Sequence, residues 1–122
     1  MEYAYLGNSG LKVSRLCLGT MTFTESGKNP RTCNQGVANT ILDKFVEAGG
    51  NFIDTADVYS VNNINLFFLF SYYVQNGESE TLIGTWLKSQ DRSQIVLATK
   101  LGSHGVQGNI NTPGLSRHNI LR

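Results

Sequence analysis

The spacing of apolar positions changes several times along this chain, and each change marks an element. Two short apolar runs, residues 3–6 and 11–13, flank Gly7-Asn8-Ser9-Gly10. Glycine and asparagine adopt the backbone angles of tight reversals, so an opening hairpin is predicted. Residues 15–18 read as a buried strand stopped by Gly19. From about Asn34 to Ala48 the period becomes helical, with Val37, Ile41, Leu42, Phe45 and Val46 at helical spacing, and Gly49-Gly50 supplies a C-terminal stop. Residues 51–55, with Phe52 and Ile53 at the centre, form the next short strand, two residues after the helix stop. Strand, helix, strand in this order predicts a βαβ unit.

A second crossover follows. Residues 78–90 carry Leu82, Ile83, Trp86 and Leu87 on one face, with Glu78 and Glu80 near the start, where the helix dipole favours negative charge. Residues 95–99, IVLAT, are an uninterrupted apolar run of the kind found in strands covered on both faces, and Lys100 ends it. Residues 103–114 are rich in Gly, Asn and Ser and read as a loop, after which Ser116 is placed to cap a third helix. Alternating strands and helices predict a parallel α/β sheet, either open and doubly wound or part of a (β/α)8 barrel. A barrel needs about 250 residues, so a chain of 122 residues would hold under half of one. An open three-stranded sheet is the fallback.

Composition narrows the class without identifying a ligand. With 40% hydrophobic and 16% charged residues and a net charge of +1, the chain reads as an ordinary globular domain with no electrostatic footprint for nucleic acid or an anionic membrane. Cys17 and Cys33 fit neither a disulfide framework nor a zinc spacing and read as free thiols of a reducing cytosol. The N-terminus lacks a signal-peptide pattern, so a cytoplasmic location is expected. The aromatic run in residues 61–74 is too short and too polar at its start to span a bilayer, which takes about 20 mostly apolar residues.

Two strand ends hold polar residues that are out of place in a core: Asp54 and Lys100. In parallel α/β folds the carboxyl ends of the strands form the rim where ligands bind. Tyr59, five residues past Asp54, can fold back over that rim. A tyrosine with an ordinary pKa of about 10 is a poor acid at neutral pH, but an adjacent ammonium stabilises the phenolate. The trio thus offers Tyr59 as general acid, Lys100 as its tuner and Asp54 as the anchor of the lysine. Singly, each has a plainer reading: a loop-capping Asp, a rim-packing Tyr, a surface Lys. Gly7 to Gly10 sits in the hairpin, and no G-x-G-x-x-G follows a strand, which argues against a Rossmann site.

The segments GNSGLKVSRLCLGTMTF, GGNFIDTADVYS, GESETLIGTWLKSQ and IVLATK resemble the aldo-keto reductases, close to the subgroup of bacterial oxidoreductases and potassium-channel beta subunits. The resemblance implies a partial (β/α)8 TIM barrel: an N-terminal hairpin, about three parallel strands and two to three helices across residues 1–122. It implies catalytic roles for Asp54, Tyr59 and Lys100, and a cofactor region at Gly19, Thr20, Met21 and Asp54. The implied cofactor is NADP(H), the implied substrate a small aldehyde or ketone reduced to an alcohol. A non-catalytic NADPH-binding regulatory subunit, similar to the channel beta subunits, is the alternative.

Departures from the family pattern matter. The family's catalytic His would fall beyond Arg122, and neither His104 nor His118 occupies the matching position. Little or no turnover is therefore expected of these 122 residues by themselves. Thr24 stands where related sequences often carry Gly. Residues 61–75 form an atypical insertion, since their removal leaves DTADVYSNGESETLIG, an unbroken family motif. Val codons begin with GT and a Gln codon can end in AG, so the segment reads as translated intron; a genuinely lengthened rim loop is the other reading.

Overall fold

The computed structural model describes residues 1–25, 32–59, 77–102 and 114–121. Strands β1 (Tyr3–Tyr5) and β2 (Lys12–Ser14) pair antiparallel as the predicted hairpin. Gly7 and Gly10 take positive φ in its turn, closed by the Leu6 N–H donating to the Leu11 carbonyl at 2.9 Å. Three short parallel strands follow in chain order: β3 (Leu18–Gly19), β4 (Phe52–Asp54) and β5 (Val96–Ala98). Helix α1 (Gln35–Glu47) connects β3 to β4, and α2 (Glu78–Leu87) precedes β5. A short α3 (Arg117–Ile120) is capped by Ser116, whose hydroxyl accepts from the Asn119 N–H.

Local chemistry accounts for the helix ends. The Asn34 side chain accepts from the Val37 N–H at 3.1 Å, satisfying a donor that the first turn leaves free. At the other end Gly49 takes φ +87 and donates its N–H to the Val46 carbonyl, the left-handed termination that a glycine permits. Helices α1 and α2 pack over one face of the sheet. Phe23, Ala38, Leu42, Ile53, Leu82, Ile83, Trp86 and Ile95 form the buried core. A polar brace crosses the helix pair, the Trp86 indole N–H donating to Asp43 at 2.7 Å. A second ties the hairpin to the sheet: Asn51 accepts from the Ser14 N–H at 2.7 Å and donates to the Lys12 carbonyl at 3.1 Å.

Three expectations are corrected. Residues 15–18 do not form a buried strand. Only Leu18 and Gly19 pair with β4, while Arg15, Leu16 and Cys17 lie before the paired stretch and are exposed. The IVLAT run is likewise not covered on both faces. Ile95 is buried, but Val96, Leu97 and Ala98 are half-buried, because β5 is an edge of the described sheet. Val37, included in the apolar stripe of α1, is exposed; the buried stripe runs through Ala38 and Leu42 instead.

Residues 61–75, read from the sequence as an insertion, lie outside the described residues. Their flanks nevertheless meet, since the Gly77 N–H donates to the Asp57 carbonyl at 3.2 Å. A chain lacking residues 61–75 keeps four residues, 58–60 and 76, between these partners, enough for a tight turn. Each doubling of a closed loop costs only about 0.6 kcal/mol, so the deletion is expected to raise stability by about 1 kcal/mol in urea unfolding. Loss of cooperative folding would instead show that the segment supplies contacts the rest depends on.

Candidate active site

Strand alternation decides what faces what. Ile53, in the middle of β4, is buried beneath the helices, so Phe52 and Asp54 lie on the opposite face. Gly19 pairs with Asp54, and Asp54 with Ala98, which brings the carboxyl ends of all three strands to one rim. Lys100 follows Ala98 by two residues and returns to the Asp54 face. After β4 the chain turns, the Tyr59 N–H donating to the Ala56 carbonyl at 3.2 Å, and the ring comes back over the rim.

The structure brings the three predicted residues together. Lys100 Nζ donates to both carboxylate oxygens of Asp54, at 2.9 and 2.7 Å, and to the Thr55 carbonyl at 3.1 Å. The Tyr59 hydroxyl donates to Asp54 Oδ2 at 3.3 Å, and the ammonium lies over the Tyr59 ring, 4.6 Å from its centre. The lysine thus meets the tyrosine through its ring face as well as through the shared carboxylate. The ammonium is held above its ordinary pKa, first by the hydrogen bond to Asp54 and then by Tyr59. Side-chain exposures of 44% and 36% make the ion pair a rim feature, which contributes little to stability. Its importance lies in where it puts charge.

The residues assigned to a cofactor fall in different layers. Gly19 is exposed, with no atom within 4 Å of where a Cβ would stand, and Met21 is 67% exposed. Thr20 lies beneath them, fully buried, its hydroxyl donating to the Asp54 carbonyl at 3.0 Å. Thr24 is buried and donates its hydroxyl to Glu78. His118 is exposed on α3, and His104 lies outside the described residues. Among the described residues there is no cluster of three potential metal ligands and no helix long and apolar enough to cross a membrane.

Sequence reasoning missed Ser79. It is fully buried; its hydroxyl donates to the Thr20 carbonyl at 2.8 Å and meets the Thr55 hydroxyl at 3.2 Å. A signal was available. Ser79 stands three, four and seven residues before Leu82, Ile83 and Trp86, on the buried stripe of α2, where a serine needs partners.

The hairpin, the parallel strands with helices on one face, and the polar rim are the opening of a (β/α)8 barrel. The model of the Aldo/keto reductase family matches residues 15–122, and the chain belongs to that family of oxidoreductases. It is similar to norsolorinic acid reductase B of Dothistroma septosporum, 43% identical over 103 residues, covering 82% of this chain and 22% of the relative. It is also similar to an aryl-alcohol dehydrogenase of Pestalotiopsis microspora, 37% identical over 76% of this chain and 21% of that protein. Among solved structures, a putative aldo-keto reductase from Pseudomonas aeruginosa superposes with a TM-score of 0.61 at 30% identity, covering 88% of this chain and 34% of its own. The chain thus spans about a fifth of the length of these curated relatives.

Cys17 reports on the rim. Although the residue is largely exposed, its thiol is pushed above its ordinary pKa first by partial desolvation and then by the negative charge of Asp54, while Lys100 acts the opposite way. Asp54→Asn is therefore expected to speed Cys17 alkylation near neutral pH and Lys100→Met to slow it, since the first removes a charge that raises the thiol pKa and the second a charge that lowers it. The check is peptide-resolved alkylation with Cys33 as internal reference; equal rates in all three proteins would mean that the two charges do not reach Cys17.

Proposed function

We propose that this chain carries the proton-donating side of an NADPH-dependent carbonyl reductase site, with Tyr59 as general acid, Lys100 as the fixed positive charge and Asp54 as its anchor. The observation that carries the reading is the convergence of these three side chains at the carboxyl rim of parallel strands. A 3.3 Å O–H···O contact is at the long end, so the Tyr59 hydroxyl leaves Asp54 readily for a substrate oxygen that is gaining charge. As the proton moves, the neighbouring ammonium stabilises the negative charge left on the phenolic oxygen. The substrate would be a small aldehyde or ketone, the product an alcohol.

The residues present fit a nicotinamide cofactor in one respect. Gly19 leaves open space beside Asp54, and Met21, two residues on, is exposed, so a flat ring can approach the rim there. Thr20 takes a supporting role, since its buried hydroxyl is already committed to the Asp54 carbonyl. When bound, NADPH supplies the hydride. A cytoplasmic setting, where NADPH is available, goes with this reading.

Little or no turnover is expected of the 122 residues alone, because no imidazole joins the trio among the described residues. The test is a chimera in which residues 15–122 replace the matching segment of the Pseudomonas aeruginosa protein, assayed by NADPH consumption with an aromatic aldehyde, a probe suggested by the aryl-alcohol relative. Tyr59→Phe is expected to lower turnover by about 100-fold or more, the range for loss of a positioned general acid. Full turnover in Tyr59→Phe would reject the assignment. NADPH binding without turnover in the parent chimera would favour a nucleotide-binding regulatory role.

A further inference from the structure

Three consecutive residues of α2 are bonded to the segments that follow the parallel strands, and between them they reach all three. Successive helical residues point about 100° apart, so one turn can reach in three directions. Glu78 accepts from the Thr24 hydroxyl and from the Glu25 N–H at 3.1 Å, in the loop after β3. Ser79 reaches Thr20 beyond β3 and Thr55 beyond β4. Glu80 accepts from the hydroxyl of Thr99, the residue before Lys100. The first turn needs no side-chain cap of its own: the N-cap is Gly77, and the carboxylates of Glu78 and Glu80 also suit the positive end of the helix.

The hydroxyl protons can be followed one by one. A hydroxyl has one proton to give, and the network uses each once. Thr55 gives to Ser79, Ser79 gives to Thr20, and the Thr20 hydroxyl gives to the Asp54 carbonyl, beside the Thr20 N–H, both at 3.0 Å. Thr55 in turn presents its carbonyl to Lys100 Nζ and takes its own N–H to the Ala98 carbonyl at 2.8 Å. The backbone on either side of the Asp54 side chain, and one of the acceptors of Lys100, are thereby tied to α2. Ser79, Thr20 and Thr55 are all buried, so water cannot replace a missing partner.

We propose that Glu78-Ser79-Glu80 is a clamp that positions the Asp54–Lys100–Tyr59 cluster, with Ser79 as its central positioning residue. The inference deepens the reductase reading and rests on it for its functional meaning. Without the Ser79 hydroxyl, Thr55 loses its acceptor and Thr20 its donor, and the Thr55 carbonyl drifts from Lys100. The ammonium then loses part of its acceptor set, and the neutral amine becomes more populated.

The test is competitive acetylation of the 122-residue chain near pH 8, with Lys100 read against Lys88 by peptide mass spectrometry. Ser79→Ala and the nearly isosteric Thr55→Val are each expected to raise the Lys100 to Lys88 ratio by about threefold. Thr55→Ser, which keeps the hydroxyl, should retain the parent ratio. An unchanged ratio in Ser79→Ala and Thr55→Val, even with a lower melting temperature, would overturn the proposal by showing that the turn merely stabilises. So would an equal rise at Lys100 and Lys88, as from general unfolding. The readout needs neither NADPH nor turnover, so a failed clamp leaves the reductase chemistry standing, and an inactive chimera leaves the clamp standing.

Discussion

Asp54 joins the backbone order of the sheet to the chemistry of the rim. Its carbonyl receives the Thr20 N–H and hydroxyl, which holds the end of β3 against β4. Its carboxylate receives Lys100 from beyond β5 and Tyr59 from its own following turn. One residue thereby ties three strand ends together, and its side chain faces away from the helices because Ile53 before it is buried under them. Moving Asp54 by one position would place the carboxylate in the apolar core, where an ionised group without a partner is prohibitive.

The rim is built in two layers with different physical demands. The upper layer, Asp54, Lys100 and Tyr59, is partly exposed, and its charges stay hydrated enough to be tolerated. The lower layer, Thr20, Thr55 and Ser79, is buried and neutral, and each polar group has its partner within the protein. Charged groups over a satisfied hydroxyl layer avoid burying an ion while still fixing its position. The apolar core of Leu42, Ile53, Ile83 and Trp86 lies on the helix side and keeps α2 close enough for its first turn to reach the strand ends.

Much of this was legible in the chain. The hairpin turn, both long helices, the left-handed stop at Gly49 and the Ser116 cap follow from local backbone preference, and the structure bears them out. Asp54, Tyr59 and Lys100 were visible as polar residues punctuating apolar strands, and they converge as the spacing required. The extents of the strands were not legible. Leu16 and Cys17 look like core residues by composition, yet they are exposed, because burial depends on where the strand joins the sheet, and pairing begins only at Leu18.

By itself the sequence determined the order of the elements, their caps and the set of polar residues at strand ends, because these depend on residues within a turn or two of one another. Tertiary structure alone decided that the Lys100 ammonium sits over the ring of Tyr59, and that Glu78, Ser79 and Glu80 together meet the segments after all three parallel strands. Those contacts join residues as far as 59 positions apart, as from Thr20 to Ser79. Their geometry is set by how the helices pack on the sheet, a property of the whole core that no local stretch of sequence contains.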